Sequence, residues 1–209
     1  KVQPINLLSQ AVIPDNTKVL IIAGARNAYL GGELKLIEEF LNNGGNLLWL
    51  RDPAKQNYFT SLDDLLGLSL VPGVIIDANT KLRILLGIKH AAVIPVTEFH
   101  KHSITEQLKT HLLFPFTSAI NHQASSSWQT QILFKSLERS WAEVGEINTD
   151  KLKYEQQLGD TQGPLTIGVS LSREIEQQQQ RIVVVGDSDF MANGYIGYGA
   201  NFALSLNIL

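Results

Sequence analysis

The sequence predicts an α/β protein built on an open, mainly parallel sheet, with an antiparallel hairpin late in the chain. Residues 19–50 read as strand, helix and strand, which is the spacing of a parallel βαβ unit. Residues 182–185 form an unbroken β-branched run, typical of a strand buried on both faces. Residues 165–171 alternate apolar and small side chains just before that run, which favours antiparallel pairing.

The first βαβ unit has clear boundaries. A strand at 19–23 follows a turn signal, and the apolar side chains of Leu34, Ile37 and Leu41 then recur at helical spacing. The segment 42–45 contains two asparagines and two glycines, which end a helix in the left-handed conformation. A second strand at 46–50 stops before Asp52-Pro53.

The middle of the chain predicts shorter elements. Helical spacing at 59–66 predicts a helix capped by Thr60 or Ser61, and 102–108 predicts another short helix. Two polar stretches, 121–127 and 142–159, read as loops. The β-like runs lie at 71–76, 89–96, 112–120 and 131–136.

The closing part of the chain should form the centre of the sheet and a final helix. The glutamine-rich segment 174–181 reads as a long, solvated hairpin tip. The strand at 182–185 is followed by Gly186, Asp187, Ser188 and Asp189, whose short polar side chains can cap a helix. We expect that helix to run from 190 to 209.

Composition excludes several classes of function. The formal net charge of −3 and the absence of a long Lys/Arg cluster argue against nucleic acid as a partner. The lack of cysteine excludes a thiol nucleophile and thiolate metal ligands. No apolar run reaches the ~18 residues of a membrane span. Because the chain begins at Lys1 and ends in an apolar segment, we expect residues 1–209 to be one α/β domain of a longer protein.

Polar residues that follow two strands make the candidate site. Asp52, Asp187, Ser188 and Asp189 lie where open α/β sheets bind ligands, and carboxylates there could share a divalent cation. Ser188 stands near the position of a hydrolase nucleophile, but Phe190 replaces the second glycine of that motif. The simpler interpretation makes Ser188 a helix cap. The glycines after residue 23 are spaced wrongly for a dinucleotide fingerprint. We expect no catalytic residue, no bound metal and no cofactor.

Short motifs follow one another along the chain in a definite order. They are Pro14-Asp15, Val19-Leu20-Ile21-Ile22, Glu38-Glu39-Phe40-Leu41, Gly44-Gly45-Asn46, Asp52-Pro53, Val74-Ile75-Ile76-Asp77, His102-Ser103-Ile104-Thr105, Phe114-Pro115 and Gly186-Asp187-Ser188-Asp189-Phe190 with Asn193. This order of motifs resembles the auxiliary extracytoplasmic subunits of ABC transporters of the GldG, gliding-motility type. The resemblance covers nearly the full chain, and its last motif adds Asn193 to the candidate loop.

This resemblance implies a location and a set of partners. The family's soluble domain is similar to the glutamine-amidotransferase-like (flavodoxin-like) fold, also found in an intraflagellar transport protein, and it is regarded as non-enzymatic. The resemblance implies a place on the periplasmic, extracytoplasmic side of the inner membrane, anchored by membrane segments outside residues 1–209. The implied partners are the permease and ATPase subunits of the transporter, or other envelope proteins.

Two hypotheses remain open from the sequence. The first is a non-enzymatic binding or scaffolding domain of a transporter-associated membrane protein. The alternative is a small-ligand-binding or metal-binding, hydrolase-like domain that uses the Asp187-Ser188-Asp189 loop together with Asp52.

Overall fold

The computed structural model describes residues 1–54, 56–123, 127–148 and 152–209. Within these residues the helices are α1 (Leu7–Gln10), α2 (Gly31–Asn42), α3 (Thr60–Leu66), α4 (Thr80–Leu85) and α5 (Asn201–Asn207). The strands are β1 (Val19–Ala23), β2 (Asn46–Leu50), β3 (Leu68–Val71), β4 (Val74–Ile76), β5 (Val93–Val96), β6 (Leu112–Pro115), β7 (Ala119–His122), β8 (Gln129–Lys135), β9 (Trp141–Glu143), β10 (Thr161–Gln162), β11 (Thr166–Ile175) and β12 (Gln178–Val185).

The main sheet has five strands in the order β1-β2-β12-β11-β8. Strands β1, β2 and β12 run parallel, whereas β11 is antiparallel to both of its neighbours. The prediction that 182–185 forms the sheet centre is therefore confirmed. The sheet is open and mixed, with two parallel and two antiparallel pairings, and the antiparallel hairpin predicted late in the chain is formed by β11 and β12.

Alternating side chains of β12 enter two different cores. Ile182 and Val184 pack on one face with residues of α2 and α3, including Ile37 and Leu62. Val183, one position along, belongs to the cluster on the other face, which α5 and the segment around residue 104 cover. This alternation follows from the two-residue period of a strand and makes β12 a layer between two apolar clusters.

Three smaller antiparallel sheets are built from β3 with β7, β5 with β6, and β10-β9-β4. The single strand expected at 71–76 is in fact two strands, because Pro72-Gly73 interrupts it and Gly73 has φ 100°. The helix expected at 102–108 is a series of turns instead. Part of the loop expected at 142–159 pairs as β9, and residues 124–126 and 149–151 of the two expected loops lie outside the described residues.

The hairpin between β11 and β12 has a tip of two residues. Glu176 and Gln177 both have positive φ, 48° and 65°, and the ladder continues to the pair Ile175–Gln178. The expected long glutamine loop is therefore wrong. Gln180 is 1% exposed, and its amide donates to the carbonyl oxygens of Leu41 at 2.8 Å and Gly45 at 2.5 Å. Because these carbonyl acceptors at the end of α2 bind the Gln180 side chain, the polar segment 178–181 can form part of a strand.

The expected final helix at 190–209 is also wrong in its extent. A 3-10 turn at Asp189–Met191 and a series of turns precede α5, which begins only at Asn201. Glycines at 194, 197 and 199 disfavour helix in the intervening segment. The buried Asn201 side chain fixes the start of α5 by accepting from Leu113 N–H at 3.0 Å and donating to the Leu113 carbonyl at 2.8 Å.

Candidate functional site

The carboxyl ends of β1, β2 and β12 meet at one edge of the sheet, and the structure brings Asp52 and Ser188 together there. Asp52 Oδ1 accepts the Ser188 backbone N–H at 2.8 Å, and Asp52 Oδ2 accepts the Ser188 hydroxyl at 2.8 Å. Both carboxylate oxygens of Asp52 are thus engaged by one residue that lies 136 positions later in the chain. The pair joins the ends of two adjacent parallel strands.

Gly24, after β1, lets this pair form. Its φ is 57°, and a Cβ atom at this position would lie 2.8 Å from Ser188 Oγ and 3.1 Å from Asp52 Oδ2. Only glycine combines the left-handed backbone with the absence of that atom. The end of β1 is therefore shaped around the Asp52–Ser188 contact.

Asp187 has the capping role that the sequence assigns to Ser188. Its Oδ1 accepts the backbone N–H groups of Asp189 at 2.6 Å and Phe190 at 3.3 Å. The structure gives Ser188 no side-chain capping bond, because its hydroxyl donates to Asp52 instead. The expectation of Ser188 as a helix cap is wrong for this physical reason.

Asp187 is a buried carboxyl with one unpaired oxygen. The residue is fully buried, and in the described part of the chain its Oδ2 has no hydrogen-bond partner. The pKa of Asp187 is raised to about 8, chiefly by burial; the nearby charges of Asp52 and Asp189 add to the shift, and the two backbone hydrogen bonds oppose it. Asp187 is therefore largely a neutral carboxylic acid at pH 7.

The other two candidate residues lie apart from this contact. Asp189 is exposed, and its charge contributes, after burial and the charge of Asp187, to the raised pKa of Tyr195. Asn193 is also exposed and lies in the turn segment after the 3-10 turn. The structure thus brings together Asp52, Asp187 and Ser188, with Asp189 at the rim and Asn193 outside.

A buried ion pair beside this edge was missed by the sequence reasoning. Arg51 and Asp63 form a two-bond salt bridge, with Arg51 Nη2 3.2 Å from Asp63 Oδ2. Asn57 donates to the same Asp63 oxygen at 2.7 Å, and the Arg51 guanidinium lies 4.0 Å from the centre of the Trp49 ring. Burial lowers the pKa of Arg51, and the bonds and charge of Asp63 oppose this. The available signal was a charged residue directly after β2, Arg51, and an acidic residue within the first turn of α3, Asp63.

The space around these residues is small. A pocket lined by Arg51, Asp52, Asn57 and Tyr58 holds little more than one or two water molecules. A small organic ligand needs a pocket of at least about 300 Å³. The strand edge at Asp52 is therefore packed with protein groups.

A wider groove opens at the same edge of the sheet, on the far side of β11. One wall is formed by residues 97–100 and the other by residues 135–139 with Pro164. Glu98 and Glu138 are exposed in it, and Arg139 pairs with the buried Asp77 through bonds of 3.0 and 2.8 Å. Sequence reasoning missed this groove because its walls come from segments that are far apart in the chain.

Metal ligands are not clustered in the described ranges. Among those residues no three His, Asp or Glu side chains lie close enough to hold an ion. The imidazoles of His90 and His102 accept backbone N–H groups two residues further along, at 3.1 Å each. These histidines are engaged within their own turns.

The fold has a relative among solved structures. The mmIFT52 N-terminal domain is similar with a TM-score of 0.65 and 12% sequence identity, over 91% of this chain and 75% of that one. At that identity the likeness concerns the fold alone, a mixed open α/β sheet with smaller sheets attached. No curated protein matches the chain.

The chain belongs to the family described as ABC-type uncharacterized transport system, which matches residues 1–207. The resemblance to auxiliary components of ABC transporters is thereby confirmed. In the part of the chain that the structure describes, every helix is too short or too polar to cross a bilayer.

Proposed function

We propose that this chain is a non-enzymatic, extracytoplasmic binding or scaffolding domain of an ABC-transporter-associated membrane protein. The observation that carries the proposal is the engagement of both Asp52 oxygens by Ser188. An active-site carboxylate also needs an opening large enough for its ligand, whereas the pocket beside Asp52 holds little more than one or two water molecules. Asp52 instead joins β2 to the turn after β12.

The chemistry of Ser188 supports the same proposal. Its hydroxyl donates to a carboxylate, and a neighbouring negative charge makes a hydroxyl harder to ionise. A serine nucleophile needs a histidine-like base in hydrogen-bond reach. The hydrogen bonds of His90 and His102 lie elsewhere, within their own turns.

The proposal extends to fold type, partners and location. The family assignment supports permease and ATPase subunits, or other envelope proteins, as partners in a gliding-motility-like system. It also supports a place on the periplasmic side of the inner membrane, with residues 1–209 as one domain of a longer, membrane-anchored protein. The parallel order β1-β2-β12 supports an amidotransferase-like sheet.

The groove between residues 97–100 and 135–139 is the contact surface that we propose for a protein partner. It carries exposed charges of both signs, whereas the strand edge at Asp52 is closed. Reversing the charge of Glu98 and Glu138 together should weaken a complex held there, since like charges across an interface cost several kcal/mol. Glu39→Lys on the exposed side of α2 is the matched control.

The test uses the full-length protein, co-expressed with its transporter subunits. We expect it in the membrane fraction and in one complex with those subunits. Glu98→Lys/Glu138→Lys should reduce co-purification, while Glu39→Lys and Ser188→Ala should not. Recovery of the protein wholly in the cytosol, or a hydrolytic turnover that Ser188→Ala abolishes, would contradict the proposal.

A further inference from the structure

The last part of the chain forms a surface without any charged side chain. Residues 190–209 contain no Asp, Glu, Lys, Arg or His. Tyr198, Phe202 and Leu206 are spaced four residues apart and are 56%, 58% and 59% exposed. Phe202 and Leu206 lie one turn apart on the same side of α5, and Tyr198 lies in the turn segment just before the helix. We call these three residues the α5 surface.

The opposite side of α5 is held against the core, so the α5 surface cannot turn inward. Leu204 is fully buried in the large apolar cluster, and the Asn201 amide donates to the carbonyls of Leu113 at 2.8 Å and Tyr195 at 3.1 Å. A contiguous exposed apolar patch of a few hundred Å² is often an interaction site.

Two exposed lysines flank this surface. The segment before β6 runs alongside α5, because the Ala200 N–H donates to the His111 carbonyl at 2.9 Å and the Asn207 amide donates to the Ile104 carbonyl at 2.8 Å. Lys109 therefore lies near the start of α5 and Lys101 near its end, both exposed. The exposed Glu106 between them offsets one of the two charges.

The size of the α5 surface argues against a second copy of the chain as its occupant. Three side chains of this size, each somewhat more than half exposed, offer roughly 400 Å². A standard protein interface needs about 800 Å² from each partner. A bilayer interface needs no matching partner surface, and it accepts aromatic and leucine side chains between flanking lysines.

We propose that the α5 surface binds the headgroup region of an anionic lipid bilayer, with Phe202 and Leu206 inserted and Lys101 and Lys109 at the lipid phosphates. The contact goes beyond the proposed function, which concerns protein partners. Each lysine near an anionic leaflet adds a screened attraction. The apolar side chains supply the part of the binding that does not depend on salt.

The test is sedimentation of the 209-residue chain with vesicles of phosphatidylglycerol and phosphatidylcholine, compared with phosphatidylcholine alone. We expect tighter binding to the anionic vesicles. Phe202→Ser/Leu206→Ser should lower the partition constant at least about tenfold. The control Ile84→Ser/Leu85→Ser removes two apolar residues of α4 that are more exposed, at 74% and 78%, and it should bind like the wild type.

Two further variants distinguish the contribution of the lysine charges to vesicle binding from that of membrane insertion. Lys101→Gln/Lys109→Gln should weaken binding to anionic vesicles by roughly fivefold per lysine and leave neutral vesicles unaffected. Phe202→Trp should show a blue shift of its fluorescence when anionic vesicles are added, which reports insertion without removing the apolar side chain.

Three results would overturn the proposal. The first is absence of wild-type binding to both vesicle types, and the second is unchanged binding of Phe202→Ser/Leu206→Ser. The third is a dimer in light scattering that this variant loses, which would make a second copy the occupant. Because the vesicles carry no transporter subunits, failure here leaves the proposed complex unaffected.

Discussion

Replacement of Asp187 by asparagine should change how stability depends on pH. The folded chain holds the Asp187 proton up to a pKa of about 8, whereas an unfolded aspartate releases it near pH 3.9. Between those values the folded state binds more protons than the unfolded state, so stability is greatest at low pH and falls as pH rises through this window. Asparagine does not titrate and keeps the acceptor for the Asp189 and Phe190 amides.

The size of the stability change follows from the pKa shift of Asp187. Each pH unit inside the window lowers the wild-type free energy of unfolding by about 1.4 kcal/mol relative to the variant, or about 3 kcal/mol between pH 5 and pH 7. The protonated Oδ2 of the wild type and the amide nitrogen of the variant both lack an acceptor at this position, so that cost is similar in the two proteins. The difference in stability should therefore move in favour of the variant by about 1.4 kcal/mol for each pH unit between pH 5 and pH 7.

Denaturant unfolding at pH 5, 6, 7 and 8 measures this difference. Asp189→Asn is the matched control, because it removes an exposed carboxylate two residues away, and it should keep most of the wild-type pH dependence. If Asp187→Asn and the wild type lose stability in parallel as pH rises, then Asp187 is ionised in the folded protein and the argument from its burial is wrong.

Three other substitutions test separate contacts by denaturant unfolding. Gly24→Ala should destabilise by about 1–3 kcal/mol, since it adds backbone strain and a Cβ atom 2.8 Å from Ser188 Oγ; a loss below 0.5 kcal/mol would show that the turn adjusts freely. Asp63→Ala should cost about 3–5 kcal/mol because it leaves Arg51 buried and unpaired, and Arg51→Met/Asp63→Leu should recover most of that loss; equal losses in the two variants would contradict this. Gln180→Ala should cost about 1–3 kcal/mol by removing both donors to the end of α2, whereas the exposed Gln179→Ala should stay within about 0.5 kcal/mol.

The sequence predicts those parts of the fold in which local pattern and burial agree. The strands β1 and β2 and the helix α2 lie within a few residues of their predicted bounds, because an apolar run and a glycine pair specify each boundary locally. The central place of 182–185 follows from four β-branched residues that only a doubly covered strand can bury.

The prediction for the hairpin tip is wrong because a polar residue there forms hydrogen bonds with residues that are distant in the sequence. The buried Gln180 amide donates to the carbonyls of Leu41 and Gly45, 139 and 135 positions away, and Arg173 donates to the same Leu41 carbonyl. Local propensity assigns such a polar segment to solvent, and tertiary hydrogen bonds override it.

At the site, the sequence predicts the meeting of Asp52 with the turn after β12 from the geometry of parallel strands. It does not predict which polar side chain of the turn forms hydrogen bonds with Asp52 and which one caps the following turn. Asp187 takes the capping role and Ser188 turns to Asp52, since Gly24 leaves room for the hydroxyl on that side. The Arg51–Asp63 pair requires a fold-back of the chain between β2 and α3 that no local pattern indicates.

The late position of β12 in the chain determines when the sheet can close during synthesis. β2 lies between β1 and β12, and its pairing Leu47–Ile182 joins residues from the two ends of the chain. Until residues 178–185 leave the ribosome, one side of β2 has no neighbouring strand. The apolar side chains that pack against β12 in the folded protein are also exposed until then. Such an unpaired strand edge is a template for aggregation. A product that stops before β12 should therefore be a substrate for chaperones and proteases, so quality control of this domain depends on the synthesis of residues 178–185.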